Sequence, residues 1–198
     1  MKTLLVFSGG MDSATLLYDL LALGDHVECL SVNYNQRHKK ELDIAFRLCD
    51  DLGVRLDTLD LTSLGALLDG SSQTDPNVEV PFGNYDAPTM KLTVVPNRNM
   101  FLLASAAAVA LSRNADRLAY GAHSGDHTIY PDCRPEFVEA MQAAFDLCDW
   151  KQIKLYAPYL ALDKGEVCKR GVELGVRFDL TWTCYVGGDK PCGKCGSC

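Results

Sequence analysis

A chain of 198 residues with 47% apolar and 23% charged side chains can bury roughly 70% of the surface its unfolded form exposes, which excludes a disordered or fibrous protein and any need for disulfide staples. Its 19 basic and 26 acidic residues leave a net charge of −7, the wrong sign for a broad face that holds nucleic acid by its phosphates. An anionic ligand must then be gripped locally, by backbone amides, a few lysines and arginines, or bound metal.

From the N-terminus, Thr3 to Phe7 reads as a short buried strand stopped by Gly9-Gly10, and Ala14 to Leu23 as a leucine-rich helix. MKTLLVFSGGMDS offers no small-residue cleavage site, so a signal peptide is not expected. Val27 to Val32 reads as a second strand, Lys39 to Leu52 as a helix with Leu42, Ala45, Phe46 and Leu48 on its apolar face, and Val54 to Leu61 as a third strand. This alternation predicts an α/β fold, a Rossmann-like doubly wound parallel sheet with helices on both faces.

Residues 70–97, rich in Gly, Ser, Pro, Asn and Asp, read as a long loop, and loops of that length in compact domains usually carry function. Met100 to Leu111 follows as an alanine-rich helix, Arg117 to Tyr120 as a strand, and Glu136 to Leu147 and Lys164 to Leu174 as helices. The apolar run from Met100 to Leu111 is far short of the roughly 20 residues that span a membrane. No membrane or nucleic-acid partner is therefore expected, and the cytosol is the expected compartment. In such a sheet ligands collect beyond the carboxyl ends of the strands. That directs attention to Ser8–Ser13, Asn33–His38, Pro96–Asn99 and Gly121–Arg134.

The nine cysteines fall into two groups. Cys29, Cys49, Cys133, Cys148 and Cys168 are scattered and read as small core hydrophobes. Cys184, Cys192, Cys195 and Cys198 crowd a glycine-rich tail with spacing C-x7-C-x2-C-x2-C. Four thiolates complete the tetrahedral shell of zinc and leave no place for water, which predicts a structural metal. An iron–sulfur cluster also takes four cysteines, and a redox pair at Cys192 and Cys195 is the other alternative. The chain is accordingly divided into a domain over residues 1–181 and a four-cysteine zinc-binding segment over residues 182–198.

SGGMDS, from Ser8 to Ser13, sits where a strand hands over to a helix. Its amides and hydroxyls can converge there on an anion, aided by the helix dipole. It lacks the Walker and dinucleotide patterns. It resembles the PP-loop signature SGGxDS of enzymes that split ATP between its α- and β-phosphates. YNQRHKKEL (Tyr34 to Leu42), VPNRN (Val95 to Asn99), YPDCRPEF (Tyr130 to Phe137) and the cysteine tail extend the likeness along the chain, and together these segments resemble the 7-cyano-7-deazaguanine synthase family, QueC.

The resemblance implies a PP-loop ATP pyrophosphatase fold of the HUP-like type, a homodimer, and the conversion of 7-carboxy-7-deazaguanine, ammonia and ATP, with Mg2+, into the nitrile precursor of queuosine. It puts ATP on Ser8, Gly9, Gly10, Met11, Asp12 and Ser13, with Lys164 near the phosphates. Asp12, Ser13, Arg98 and Lys164 are the residues expected at the chemistry. Arg37, in a basic cluster with His38 and Lys39, is either a further anion clamp or part of a solvated helix start. The substrate residues expected are Arg98 and Asn99, Asp126 and Asp132 as acceptors from the donor edge of the base, Tyr130 stacked on its ring, and Arg134. Stopping at the amide, or joining the activated carboxylate to another amine, needs no new residue and is the alternative. Family members generally continue beyond the last cysteine. Here a terminal carboxylate on Cys198 is expected to weaken the site.

Overall fold

Strand β1 (Lys2–Val6) alternates its side chains between two faces, and both are covered: Leu4 packs into one apolar cluster and Leu5 into another. In the computed structural model, which describes residues 1–85 and 87–198, β1 lies at the centre of a five-stranded sheet with β2 (His26–Asn33), β3 (Arg55–Asp60), β4 (Arg117–Ala119) and β5 (Lys154–Tyr156), in the order β3-β2-β1-β4-β5. All four pairings are parallel. The helices are α1 (Met11–Ala22), α2 (Lys40–Asp51), the single turn α3 (Thr62–Gly65), α4 (Arg98–Ser112), α5 (Pro135–Cys148) and α6 (Lys164–Glu173). Leu4, Leu30, Leu118 and Leu155 pack with α4 and α5, whereas Leu5, Cys29 and Ala119 pack with α1, α2 and α6. The two covered faces are the expected doubly wound architecture.

Four expectations change in detail. Helix α1 starts at Met11, with Gly10 as its N-cap, so the second half of SGGMDS is the first turn of the helix itself. Strand β5 was not among the expected elements. Its three residues are too few for periodicity to register, and it is set by pairing with β4. Phe46, expected on the buried face of α2, is 63% exposed, and Ala45, Leu48 and Cys49 form that face instead. Cys29, Cys49 and Cys133 are buried as expected, but Cys148 is exposed.

The long segment over residues 70–97, in which Asp86 lies outside the described residues, holds a 3-10 turn at Pro88–Thr93 and buries Ser71, Ser72, Gln73 and Met90. The stretch Pro88–Ser112 is long and apolar enough to cross a membrane by length and composition. It breaks at Val94–Asn97, where Asn97 has a left-handed φ of 58°. The 15-residue α4 that follows, about 22 Å long, lays Leu103, Ala106, Ala107 and Ala110 on the sheet.

At the amino ends of the strands, buried charges are paired. Arg117 bonds Asp25 and Thr3, while Glu28 meets Lys2 at 2.9 Å and Arg113 at 3.0 Å. The carboxyl ends carry a second set of paired groups, with Lys164 on Asp12 and Tyr85 on Asp126. They open into a cleft at the point between β1 and β4 where the strand order reverses, the place such sheets use for ligands.

Candidate functional site

The floor of the cleft is the turn from β1 into α1. Gly9 has φ +77°, and a Cβ there would lie 2.8 Å from the Glu41 carbonyl oxygen and 3.0 Å from the Ala45 nitrogen, so only glycine lets this turn press against α2. The Trp182 N–H donates to the Gly9 carbonyl (3.1 Å) and holds the turn from the other side. Ser13 Oγ donates to the Gly10 carbonyl at 3.0 Å and lies 3.2 Å from Ser8 Oγ. The first N–H groups of α1 have no helical acceptor. They and the two hydroxyls form a nest of donors at the positive end of the helix dipole, suited to an anion.

Helix α6 brings Lys164 to this nest. Asp163 accepts from the Glu166 N–H and Glu166 accepts from the Asp163 N–H, both at 2.8 Å. This capping box fixes the start of the helix, with Lys164 as its first residue. The Lys164 ammonium donates to both oxygens of Asp12, at 2.7 and 2.6 Å. His123, on the exit of β4, is 2% exposed, and its Nε2 lies 3.7 Å from Asp12 and 3.6 Å from Asp126.

Across the cleft the wall is aromatic. Tyr34, Tyr85, Tyr130 and Tyr185 all line it. Tyr130 shares its hydroxyl with Thr93 (2.6 Å) and Tyr185 (3.2 Å), and Tyr85 donates to Asp126 (2.7 Å). Burial pushes the Tyr85 and Tyr185 phenols far up, so both stay neutral donors. The Cys133 thiol is also pushed up, first by burial, which leaves it a neutral wall group. Arg98 stands at the start of α4 among Tyr34, Tyr130 and Tyr185, with its guanidinium 5.7 Å from the centre of the Tyr130 ring. Among the described residues it has no carboxylate partner.

The expected residues therefore separate. Ser8, Gly10, Met11, Asp12, Ser13, Arg98, Asn99, Asp126, Tyr130 and Lys164 meet in one cleft, with Gly9 shaping its floor. Arg37, Asp132 and Arg134 are not brought to it. Arg37 donates to the carbonyls of Ser72, Asp75 and Val78 and so ties down the long loop. Asp132 accepts from the Asn99 N–H (2.9 Å) and satisfies the first turn of α4 rather than a base edge. Arg134 donates to the His127 carbonyl (2.7 Å). Asn99 faces the cleft, but its side-chain amide bonds the Asp132 carbonyl and Cys133 Sγ. Tyr130 presents a ring already covered on one side by Arg98. The wall also takes Tyr34, Gln73, Tyr85, Trp182 and Tyr185, none of which was singled out from the sequence. The aromatic residue next to a cysteine ligand was the available signal for Tyr185.

The cysteine tail closes the cleft. All four Sγ atoms of Cys184, Cys192, Cys195 and Cys198 lie within 4.8 Å of one another. Cys198 Sγ is 3.8 Å from that of Cys192 and 3.5 Å from that of Cys195. A tetrahedron with metal–sulfur bonds of about 2.3 Å has edges of about 3.8 Å, so the cluster fits one metal ion. N–H donation from Lys194, helped by Cys195 and opposed by burial, brings the Cys192 thiol down to about 6, ready to ligate. The tail is fastened at several points. Phe82 forms a β-bridge with Cys195, the Gly83 N–H donates to the Lys194 carbonyl, and the Lys40 ammonium caps the Gly188 and Asp189 carbonyls while lying 4.1 Å over the Trp182 ring.

A family model described as queuosine biosynthesis protein QueC matches residues 2–198. The chain is 50% identical over 197 residues to the 7-cyano-7-deazaguanine synthase of Hahella chejuensis, covering 100% of this chain and 85% of that protein. It is 51% identical over 198 residues to the protein of the same name from Caldicellulosiruptor bescii, covering 100% and 89%. Among solved structures, a 4-thiouridine synthetase–RNA complex with bound ATP superposes with a TM-score of 0.58 at 18% identity, over 90% of this chain and 42% of that one. The U34-tRNA thiolase NcsA of Methanococcus maripaludis, solved with its 4Fe–4S cluster, gives 0.57 at 16% identity, over 89% and 58%. At these identities the structural likenesses establish the fold, that of the PP-loop ATPases, and nothing finer.

Proposed function

The chain belongs to the QueC family of queuosine biosynthesis proteins, and from that premise we infer how its cleft carries out the family's ligase chemistry, the conversion of 7-carboxy-7-deazaguanine and ammonia to 7-cyano-7-deazaguanine at the expense of ATP. The observation that carries this reading is the facing of two unlike halves. An anion nest with Lys164 lies at one end of the cleft, and an aromatic wall holding Arg98, which has no carboxylate partner among the described residues, lies at the other.

A carboxylate is a poor electrophile and must be given a better leaving group. With Arg98 gripping it through two parallel N–H groups, one carboxylate oxygen attacks the α-phosphorus of ATP, and the bond to the β-phosphate oxygen breaks. Pyrophosphate leaves into the amides of Met11, Asp12 and Ser13, the hydroxyls of Ser8 and Ser13, and Lys164. Ammonia adds to the acyl adenylate, AMP departs with the C–O electrons, one proton is lost, and the amide forms. The amide oxygen then attacks the α-phosphorus of a second ATP and expels a second pyrophosphate. Cleavage of the amide C–O bond, with AMP leaving and the two remaining nitrogen protons lost, gives the nitrile. The protein's share is positioning and charge stabilisation. Asp126 and the tyrosine hydroxyls read the purine-like edge, since a site built on such bonds discriminates strongly.

Mg2+ takes most of its shell from phosphate oxygens and water and would enter the nest with the nucleotide. Zn2+ is the ion for the four thiolates, where it supplies order rather than chemistry. A cytoplasmic homodimer completes the reading. Met100 on α4, Leu147 on α5 and Trp150 just beyond it are exposed, and apolar surface of this kind supports a second copy as partner.

The test is mass spectrometry of the product with ammonia as the only amine, alongside identification of the nucleotide by-products. Nitrile with AMP and pyrophosphate is expected. Amide alone, or ADP with inorganic phosphate, overturns the reading.

A further inference from the structure

Among the buried side chains without a task in that chemistry is His123. It is 2% exposed, and among the described residues its Nδ1 has no hydrogen-bond partner. Its Nε2 stands 3.7 Å from Asp12 Oδ1 and 3.6 Å from Asp126 Oδ2, beyond the ~3.2 Å reach of a good N–H···O bond in both directions. The position is built for the ring. A Cβ on Gly125 would stand 3.0 Å from its Cε1 and 3.1 Å from its Nδ1, so glycine at 125 makes room for the imidazole.

Each carboxylate has a second partner at the opposite end of the cleft. Asp12 is held by Lys164 at 2.6 to 2.7 Å, and Asp126 by the Tyr85 hydroxyl at 2.7 Å. Lys164, Asp12, His123, Asp126 and Tyr85 thus form a row from the phosphate nest to the long loop. With Nδ1 unpartnered, the ring has one useful proton, on Nε2, and can donate it to one carboxylate at a time.

Resting on the ligase reading above, we propose that His123 is a positioning residue whose single N–H is exchanged between Asp12 and Asp126, so that nucleotide in the nest prepares Asp126 for the deazapurine. Without nucleotide, Lys164 satisfies Asp12, and a small rotation of the His123 ring closes its 3.6 Å separation from Asp126 into a hydrogen bond. When a polyphosphate draws the Lys164 ammonium to itself, Asp12 is left as a half-buried carboxylate without its cation, an expensive state. His123 then turns its proton to Asp12. Asp126 Oδ2 is released to accept from an N–H of the base, while Tyr85 still holds Oδ1. The two ligands are coupled through one proton, and by linkage each tightens the other equally.

The experiment measures binding of 7-carboxy-7-deazaguanine to the full-length protein by calorimetry, with and without the α,β-methylene analogue of ATP and Mg2+. The wild type should bind it about tenfold more tightly with the analogue present, within the range usual for coupled sites. His123→Gln is the decisive variant. Its amide carries two N–H groups and can serve both carboxylates together, so the fold and a merely structural bridge survive, but the either-or exchange does not. Coupling should fall below about twofold. Undiminished coupling in His123→Gln, or its absence in a wild type that binds both ligands and makes nitrile, overturns the proposal and leaves the ligase reading standing. A wild type that binds neither ligand removes both.

Discussion

Arg98 offers the sharpest separation of function from stability. Replacing it by Met keeps the length of the stem and removes the charge and the forked donors. Two charge-assisted hydrogen bonds to a carboxylate should together contribute about 3 to 4 kcal/mol, so kcat/KM for the deazaguanine carboxylate should fall by two to three orders of magnitude. Stability should respond differently. Among the described residues no carboxylate pairs with Arg98, so its loss strands no buried anion and relieves the desolvation of a half-buried guanidinium. Against that stands the loss of one cation–π contact with Tyr130, worth about 0.5 to 1 kcal/mol. The melting temperature should therefore stay within about 4 °C of the wild type. An arginine in a buried structural ion pair would instead lose about 3 to 5 kcal/mol, or roughly 10 °C. Pyrophosphate release with varied carboxylate, and thermal melts on the same samples, read both quantities. A kcat/KM within about threefold of wild type, or a fall in melting temperature of about 10 °C or more, would refute the reasoning.

Chelation should lower the melting temperature and also raise KM for both substrates, because Trp182, Tyr185 and Ser197 of the tail line the cleft; melts and kinetics on the same preparation check this, and an unchanged melt would count against a structural metal. Gly9→Ala puts a methyl 2.8 Å from the Glu41 carbonyl at φ +77°, which should cost about 1 to 3 kcal/mol in denaturant unfolding. Hydrogen bonding from Lys2, then from Arg113, against burial, holds the Glu28 carboxyl below its ordinary value of 4.5. A depressed folded value means stability that is complete above the unfolded pKa and drains away as pH falls through the folded one. Stability should thus decline below about pH 4.5, and Glu28→Gln should flatten that decline in denaturation midpoints taken at successive pH values.

What could be read from the sequence followed distance along the chain. The glycine turn, its strand and its helix are contiguous, so SGGMDS announced both a shape and a chemistry, and four cysteines within fifteen residues did the same. The sheet was legible at β1 to β4, and illegible at β5, Lys154–Tyr156, where a single buried leucine stands between an exposed lysine and a half-buried tyrosine. The site residues that lie outside the cleft do so for a related reason. Arg37 is an arginine beside the cleft with no local mark to say that its donors are met by carbonyls 35 to 41 residues away. Asp132 likewise bonds the start of α4 across 33 residues. Tyr85 sits in a segment whose composition says only that it is irregular, and its hydrogen bond to Asp126 spans 41 residues.

The acidity of the chain bears on how the cleft must work. With a net charge of −7, the average field opposes both ATP and a carboxylate substrate, and the cations facing the cleft, Arg98 and Lys164, are outnumbered by Asp12, Glu41 and Asp126. Attraction at long range is therefore absent, and binding has to come from short-range donors already in place: the unpaired N–H groups at the start of α1, the serine hydroxyls, and the neutral tyrosines. Fixed dipoles of this kind lose nothing to reorganisation when charge moves from carboxylate to phosphate to departing pyrophosphate. Lys164 is the exception, since it must leave Asp12 to meet a phosphate. That single displacement leaves Asp12 in need of another donor, and on our proposal His123, placed between Asp12 and Asp126, supplies it.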